Sequence, residues 1–301
     1  METLEGLTDA LRTTRDIQSI VRTMKSLSAA SIRQYEQAEA ALADYEGTIE
    51  MGLMAVLHDR RAQGLALPHH AADDGGGAAL IVIGSDRGLC GRYNETITRF
   101  ALDRLGRAGG HHAARGGGLL AVIGARAAAR LTSSGHAPDT LLALPGGVGG
   151  LTPVVQRVIV AIDRWTRETD ISTVRLVHNR RDGPARAVPV ERKLLPLAAG
   201  TLHEVMHRPW PGRGLPCYRM APAALVSWLV QQRLFVLIYR ALAEALASEH
   251  ATRLAAMQTA ERNIQERRDD LTSAYRRKRQ ETITRELMDV ISGFEAVSTQ
   301  D

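Results

Sequence analysis

From Leu4 onward apolar residues return at Leu7, Leu11, Ile17, Ile20, Val21, Met24 and Leu27, with Arg12, Arg15, Arg22 and Lys25 between them. Recurrence at three and four positions marks a helix with one narrow apolar stripe. No proline interrupts the stretch before Pro68 and, after Gly6 in its first turn, only Gly47 and Gly52 weaken it late, so the spacing predicts one helix from about Leu4 to about Leu57. The far end repeats the theme. After Pro222 there is no proline and only Gly293, and the row Leu225, Leu229, Val236, Leu242 and Leu246 gives way to a sparser one at Leu254, Met257, Ile264, Leu271, Tyr275, Ile283, Leu287 and Val290. A helix there would be about 115 Å long. Rods of this kind bury a narrow stripe only against another helix, so the two ends are expected to fold back as an antiparallel pair. Met24 should then lie beside the stretch from Leu271 to Glu286.

Between the rods the alphabet changes. Ala79 to Ile83, Leu119 to Ile123 and Val174 to Val177 are short β-type runs, separated by candidate helices at about Asn94 to Leu105, Ala125 to Leu131 and Val154 to Arg167. Strands alternating with helices predict a mostly parallel sheet of βαβ units. Gly75 to Gly77, Gly109 to Gly118 and Gly146 to Gly150 read as loops. The expected architecture is α/β, with long antiparallel N- and C-terminal coiled-coil helices (1–65 and 220–301) flanking an inserted Rossmann-like α/β domain (76–215).

Composition fits this picture. At 45% hydrophobic but only 4% aromatic, the apolar surface is aliphatic, as long packed helices require. The net charge of +5 implies attraction to an acidic partner without choosing among nucleic acid, membrane and protein. Cys90 and Cys217 are too few and too far apart for a disulfide framework. Met1 to Leu11 carries Glu2, Glu5 and Asp9 and does not read as a signal peptide, and runs such as Leu234 to Tyr239 are too short to span a bilayer.

The chemistry-bearing patterns are few. Gly84-Ser85-Asp86-Arg87-Gly88-Leu89-Cys90-Gly91 lies between a strand and a helix, where α/β proteins hold phosphates, but its glycines are misplaced and it has no lysine. The expectation is a structural turn in which Asp86 pairs with or caps a neighbour. His69-His70 and His111-His112 lack ligand spacing and read as solvated. No catalytic residue, metal site or cofactor is expected. Arg276-Arg277-Lys278-Arg279, with Arg262, Arg267, Arg268 and Arg285, makes a basic helix face with too few aromatics for single-stranded nucleic acid.

Three segments resemble the gamma subunit of rotary F-type ATP synthases. They are Ile20 to Arg33 around Val21-Arg22-Thr23-Met24-Lys25, then Ser85-Asp86-Arg87-Gly88-Leu89-Cys90-Gly91 with Asn94, then Arg279-Gln280-Glu281-Thr282-Ile283-Thr284-Arg285-Glu286-Leu287 running to Gly293. Ser248 to Met257 adds to the likeness. The resemblance implies a rotor: a coiled coil inside a ring of alpha and beta subunits, with the α/β domain against the epsilon subunit and the membrane ring of c subunits. It implies a non-catalytic subunit, peripheral on the cytoplasmic face of the membrane, that binds no nucleic acid. Met24, Lys25, Arg279, Gln280, Thr284 and Glu286 are the implied rotor-ring contacts, and Asp86, Arg87, Gly88, Leu89, Cys90 and Gly91 the implied structural motif. Two other readings stay open on the residues alone: a nucleotide-binding enzyme using Gly84 to Gly91, and a coiled-coil scaffold using the basic helix to hold nucleic acid.

Overall fold

The computed structural model describes residues 3–63, 76–112, 118–169, 171–184, 186–196, 205, 207–210, 214 and 218–298. The elements in chain order are α1 (Leu4–Ala40), α2 (Ala43–Ala62), β1 (Gly77–Ile83), α3 (Tyr93–His112), β2 (Leu119–Ile123), α4 (Ala125–Ser133), β3 (Thr140–Leu142), a 3₁₀ turn at Val148–Gly150, α5 (Leu151–Glu168), β4 (Ile171–Arg181), β5 (Ala187–Leu195) and α6 (Pro222–Ser298). They fall into two compact units, one of 1–27 with 254–301 and one of 28–253.

In the larger unit the strands form one sheet in the order β3-β2-β1-β4-β5. β1, β2, β3 and β4 are parallel, and β5 runs antiparallel to β4. The continuous apolar spelling of β1 follows from burial on both faces. Ala79, Ile81 and Ile83 face α5 and α6, joining Val155, Ile162, Ile238, Ala241 and Leu242 in one core. Leu80 and Val82 face the other way, onto Ile97 and Ala101 of α3 and Ala127 and Leu131 of α4. A third core joins Ile49, Leu53, Val56 and Leu57 of α2 to Val226, Leu229 and Val236 of α6.

The expected helix from Leu4 to Leu57 is two helices. At Leu42 the backbone N–H turns to the carbonyl of Glu39 at 3.1 Å, a tightening from the four-residue to the three-residue pattern. No glycine or proline marks this break. β3 and β5 went unforeseen: one is three residues long, and the other carries Glu191, Arg192 and Lys193. α3 also runs on to His112, through part of the stretch expected as a loop. Cys217 and the pair His69-His70 lie outside the described residues. By length and composition α6 has one stretch apolar enough to cross a bilayer, contrary to the expectation from its short runs; it is 33% buried. In α6, Leu229, Leu234, Val236 and Ile238 are core residues of the larger unit.

Candidate functional site

In the larger unit the loop from Ser85 to Gly91 is a tied turn. The backbone N–H of Ser85 donates to Asn94 Oδ1 at 3.0 Å, Asn94 Nδ2 donates to Ser85 Oγ at 2.7 Å, and the Ser85 hydroxyl donates to the Arg87 carbonyl at 2.8 Å. Asp86 holds two neighbours at once. Its Oδ1 accepts the N–H of Ala125, the first residue of α4, at 2.8 Å, and its Oδ2 accepts that of Leu144 at 2.9 Å. A carboxylate at a helix start satisfies an orphan donor and suits the helix dipole. Arg253 of α6 reaches the Gly88 carbonyl at 3.4 Å and is held by Glu249. A phosphate loop presents free N–H donors; here the Ser85 N–H is already engaged and a carboxylate stands beside it.

The tight turn explains its glycines. A Cβ on Gly84 would sit 2.2 Å from that of Ala127, so α4 could not approach. Gly91 takes φ of 55° and Leu89 takes 62°, a left-handed conformation that costs a leucine energy and turns its side chain outward, 62% exposed. Cys90 is buried and its thiol is pushed above its ordinary value first by that burial, the opposite of an activated nucleophile.

In the smaller unit the two rods pair antiparallel. Lys25 Nζ meets Glu261 Oε2 at 2.5 Å, and Arg268 Nη1 donates to Gln18 Oε1 at 3.0 Å, so seven positions back along α1 match seven positions forward along α6. The Lys25 pair is solvent-accessible, so water screens it and it reports register rather than supplying stability. Met24 therefore lies near residue 261, about ten positions short of where the stripe alone placed its neighbours.

The seam is also not the expected stripe. Leu7, Gln18 and Val21 are buried, while Ile17, Ile20 and Leu27 are exposed, Ile20 at 59%. Ile17, Ile20, Met24 and Leu27 follow a three-four spacing of their own, so α1 carries one row facing α6 and a second, apolar row facing outward. Continued at the same register, Leu4 falls opposite Thr282, and from there α6 has no partner in α1. Ile283, Leu287, Met288 and Val290 are accordingly exposed, Val290 at 69%. Arg279, Gln280, Thr284 and Glu286 lie about this point, all exposed, and the Thr284 hydroxyl donates to the Gln280 carbonyl at 2.9 Å. Lys25 is drawn into the seam; Met24 is half-buried beside the outward row. That second row is missed by a reading that assigns every apolar residue of a rod to its seam.

A family profile described as ATP synthase matches residues 3–297. The ATP synthase gamma chain of Moorella thermoacetica is 29% identical over 301 residues, covering 99% of this chain and 100% of its own length. That of Nitrosomonas europaea is 25% identical, covering 99% and 100%. Among solved structures, a chain of the Euglena gracilis mitochondrial ATP synthase (OSCP/F1/c-ring) superposes with a TM-score of 0.62 at 16% identity, over 98% of this chain and 94% of that one. A chain of the Tetrahymena thermophila central stalk and c-ring gives 0.55 at 19% identity, over 80% and 99%. At these identities the superpositions speak for the fold.

Proposed function

The chain belongs to the ATP synthase gamma family, and from that premise we propose that it works by contact alone, as the non-catalytic central-stalk rotor between an ion-driven membrane ring and a catalytic hexamer. The alpha and beta subunits surround the helical pair, and the epsilon subunit and c ring meet the α/β domain. The assembly holds the chain peripherally, at the cytoplasmic face of the membrane. The helical segments 1–65 and 220–301 form the shaft, and 76–215 the domain that takes up torque.

The observation that carries this reading is the outward apolar surface of the helical unit. Ile17, Ile20 and Leu27 on α1, and Ile283, Leu287 and Val290 on α6, are exposed and belong to none of the cores formed by the described residues. A rotor shifts a catalytic site only through contacts that differ with angle, because an effector moves an equilibrium by its differential affinity. A helical pair whose apolar rows point outward at some angles and whose exposed Arg276, Arg277 and Arg279 point outward at others meets that requirement. Met24, Arg279, Gln280, Thr284 and Glu286 are assigned to the ring contact, and Lys25 acts there with its partner Glu261.

The test uses cysteine pairs in a chain with Cys90 and Cys217 replaced. Gln18→Cys with Arg268→Cys, joined by a short bifunctional reagent, should cross-link within one chain and leave ATP turnover intact, since both helices turn together. Met24→Cys locked to the surrounding ring should stop turnover, and reductant should restore it. Turnover that persists in the locked complex would exclude a rotor.

A further inference from the structure

In the larger unit α6 lies on the sheet through small and aliphatic side chains. Ala241 and Ala245 are buried between Ile238, Leu242 and Leu246. Apolar contact is non-directional. It resists separation of helix from sheet, but contributes little against the helix turning about its axis or sliding along it.

One group in this junction is directional. Glu244 of α6 is 8% exposed, and its Oε2 accepts from His178 Nε2 of β4 at 2.6 Å. Arg192 Nη2 of β5 reaches Oε1 at 2.7 Å and Oε2 at 3.0 Å. One carboxylate is thus held from two adjacent antiparallel strands. Burial holds His178 below its ordinary value, so the imidazole is neutral and donates from Nε2. Burial pushes the Glu244 carboxyl up, but the hydrogen bond from His178 and the charge of Arg192 outweigh it, and the group stays ionised. The neighbouring charges have other ties: Arg240 of α6 pairs with Glu46 of α2 at 2.6 Å and lies 4.0 Å from Glu39 of α1. Buried ion pairs are poor sources of stability, and the best-attested use of such groups is to fix register.

We propose that Glu244 is a positioning residue that locks the rotational and axial register of α6 on the sheet through His178 and Arg192, so that torque crosses this junction without slip. The inference rests on the rotor reading above and adds to it the place where the domain grips the shaft.

The experiment compares wild type, the triple variant Glu244→Met, His178→Leu, Arg192→Met, and His178→Gln, each in the complete complex reconstituted into liposomes. Thermal stability, unloaded ATP hydrolysis, and ions pumped per ATP against an established gradient are read side by side. The triple variant should keep its thermal midpoint and its unloaded hydrolysis, yet pump fewer ions per ATP by about threefold or more, within the range of coupling that contacting residues carry. His178→Gln, which retains a donor, should pump like wild type. Pumping by the triple variant at the wild-type ratio overturns the proposal while the rotor reading stands. A parallel fall in stability, hydrolysis and pumping also overturns it, by showing a purely structural role. If the triple variant does not assemble, Glu244→Gln, which keeps volume and one acceptor oxygen, carries the same comparison. A wild-type complex that pumps nothing would instead fault the rotor reading itself.

Discussion

Two stretches of α6 are spelled alike and used differently. From Leu234 to Ala247, apolar residues are buried against the sheet: Ile238, Ala241 and Leu242 are at 0% exposure. From Ile283 to Ile291, apolar residues at similar spacing face outward. Hydrophobicity alone therefore does not say whether a helix position serves the fold or a partner. What decides is whether another element of the chain reaches that position, and past Thr282 α1 has run out.

The contrast breaks most sharply at the buried stretch. Leu242→Ala removes a fully buried side chain and should destabilise the chain by about 2–5 kcal/mol, seen as an earlier thermal or denaturant transition. Leu287→Ser with Val290→Ser tests the other side. Both residues are exposed, so stability should move by no more than about 0.5 kcal/mol, while ion-coupled ATP synthesis by the assembled complex falls. If instead the second pair destabilised the isolated chain like the first, the outward row would be a hidden core.

The smallest effect lies between the two stretches, at His250, which stacks on Tyr35 with ring centroids 5.8 Å apart. Burial first, then the charges of Arg253 and Arg87, bring its pKa from 6.5 to about 4. A folded value below the unfolded one means that the unfolded chain binds more protons between these limits. His250 therefore stabilises the fold above pH 6.5, and that contribution is lost as pH falls toward about 4. The stability of wild type relative to His250→Gln should accordingly rise with pH across this window, and the His250 ring resonances should titrate near its lower end.

Much of the architecture was legible because it follows from local rules. The long rods announce themselves by lacking proline, and β1, β2 and β4 by aliphatic runs that only strands buried on both faces tolerate. Asp86 as a tie between neighbours was also legible, since a carboxylate just after a strand has few other uses. β5 was not, because one of its faces is polar and its strand character comes from pairing with β4. The break at Ala41 and Leu42 carries no breaker residue. The seam was misread because period shows that a stripe exists, and only the partner helix decides which of two rows it covers. Glu244 lies 66 positions from His178 and 52 from Arg192, so no local signal could bring it to them.

The unpartnered end of α6 has one more consequence, which concerns assembly. From Ile283 to Ile291 the helix leaves its large apolar side chains exposed, past the point where α1 ends. Isolated helices shorter than about 12–15 residues are marginal in water, so this stretch draws its order from the turns before it and frays locally. Enclosure by a partner would convert that fraying equilibrium into a fixed helix, and the ordering entropy would be subtracted from the affinity of the encounter. The tip is in this sense completed by what surrounds it: amide exchange there should be fast in the free chain and slow in the complex, a gradient that reports seating without any label.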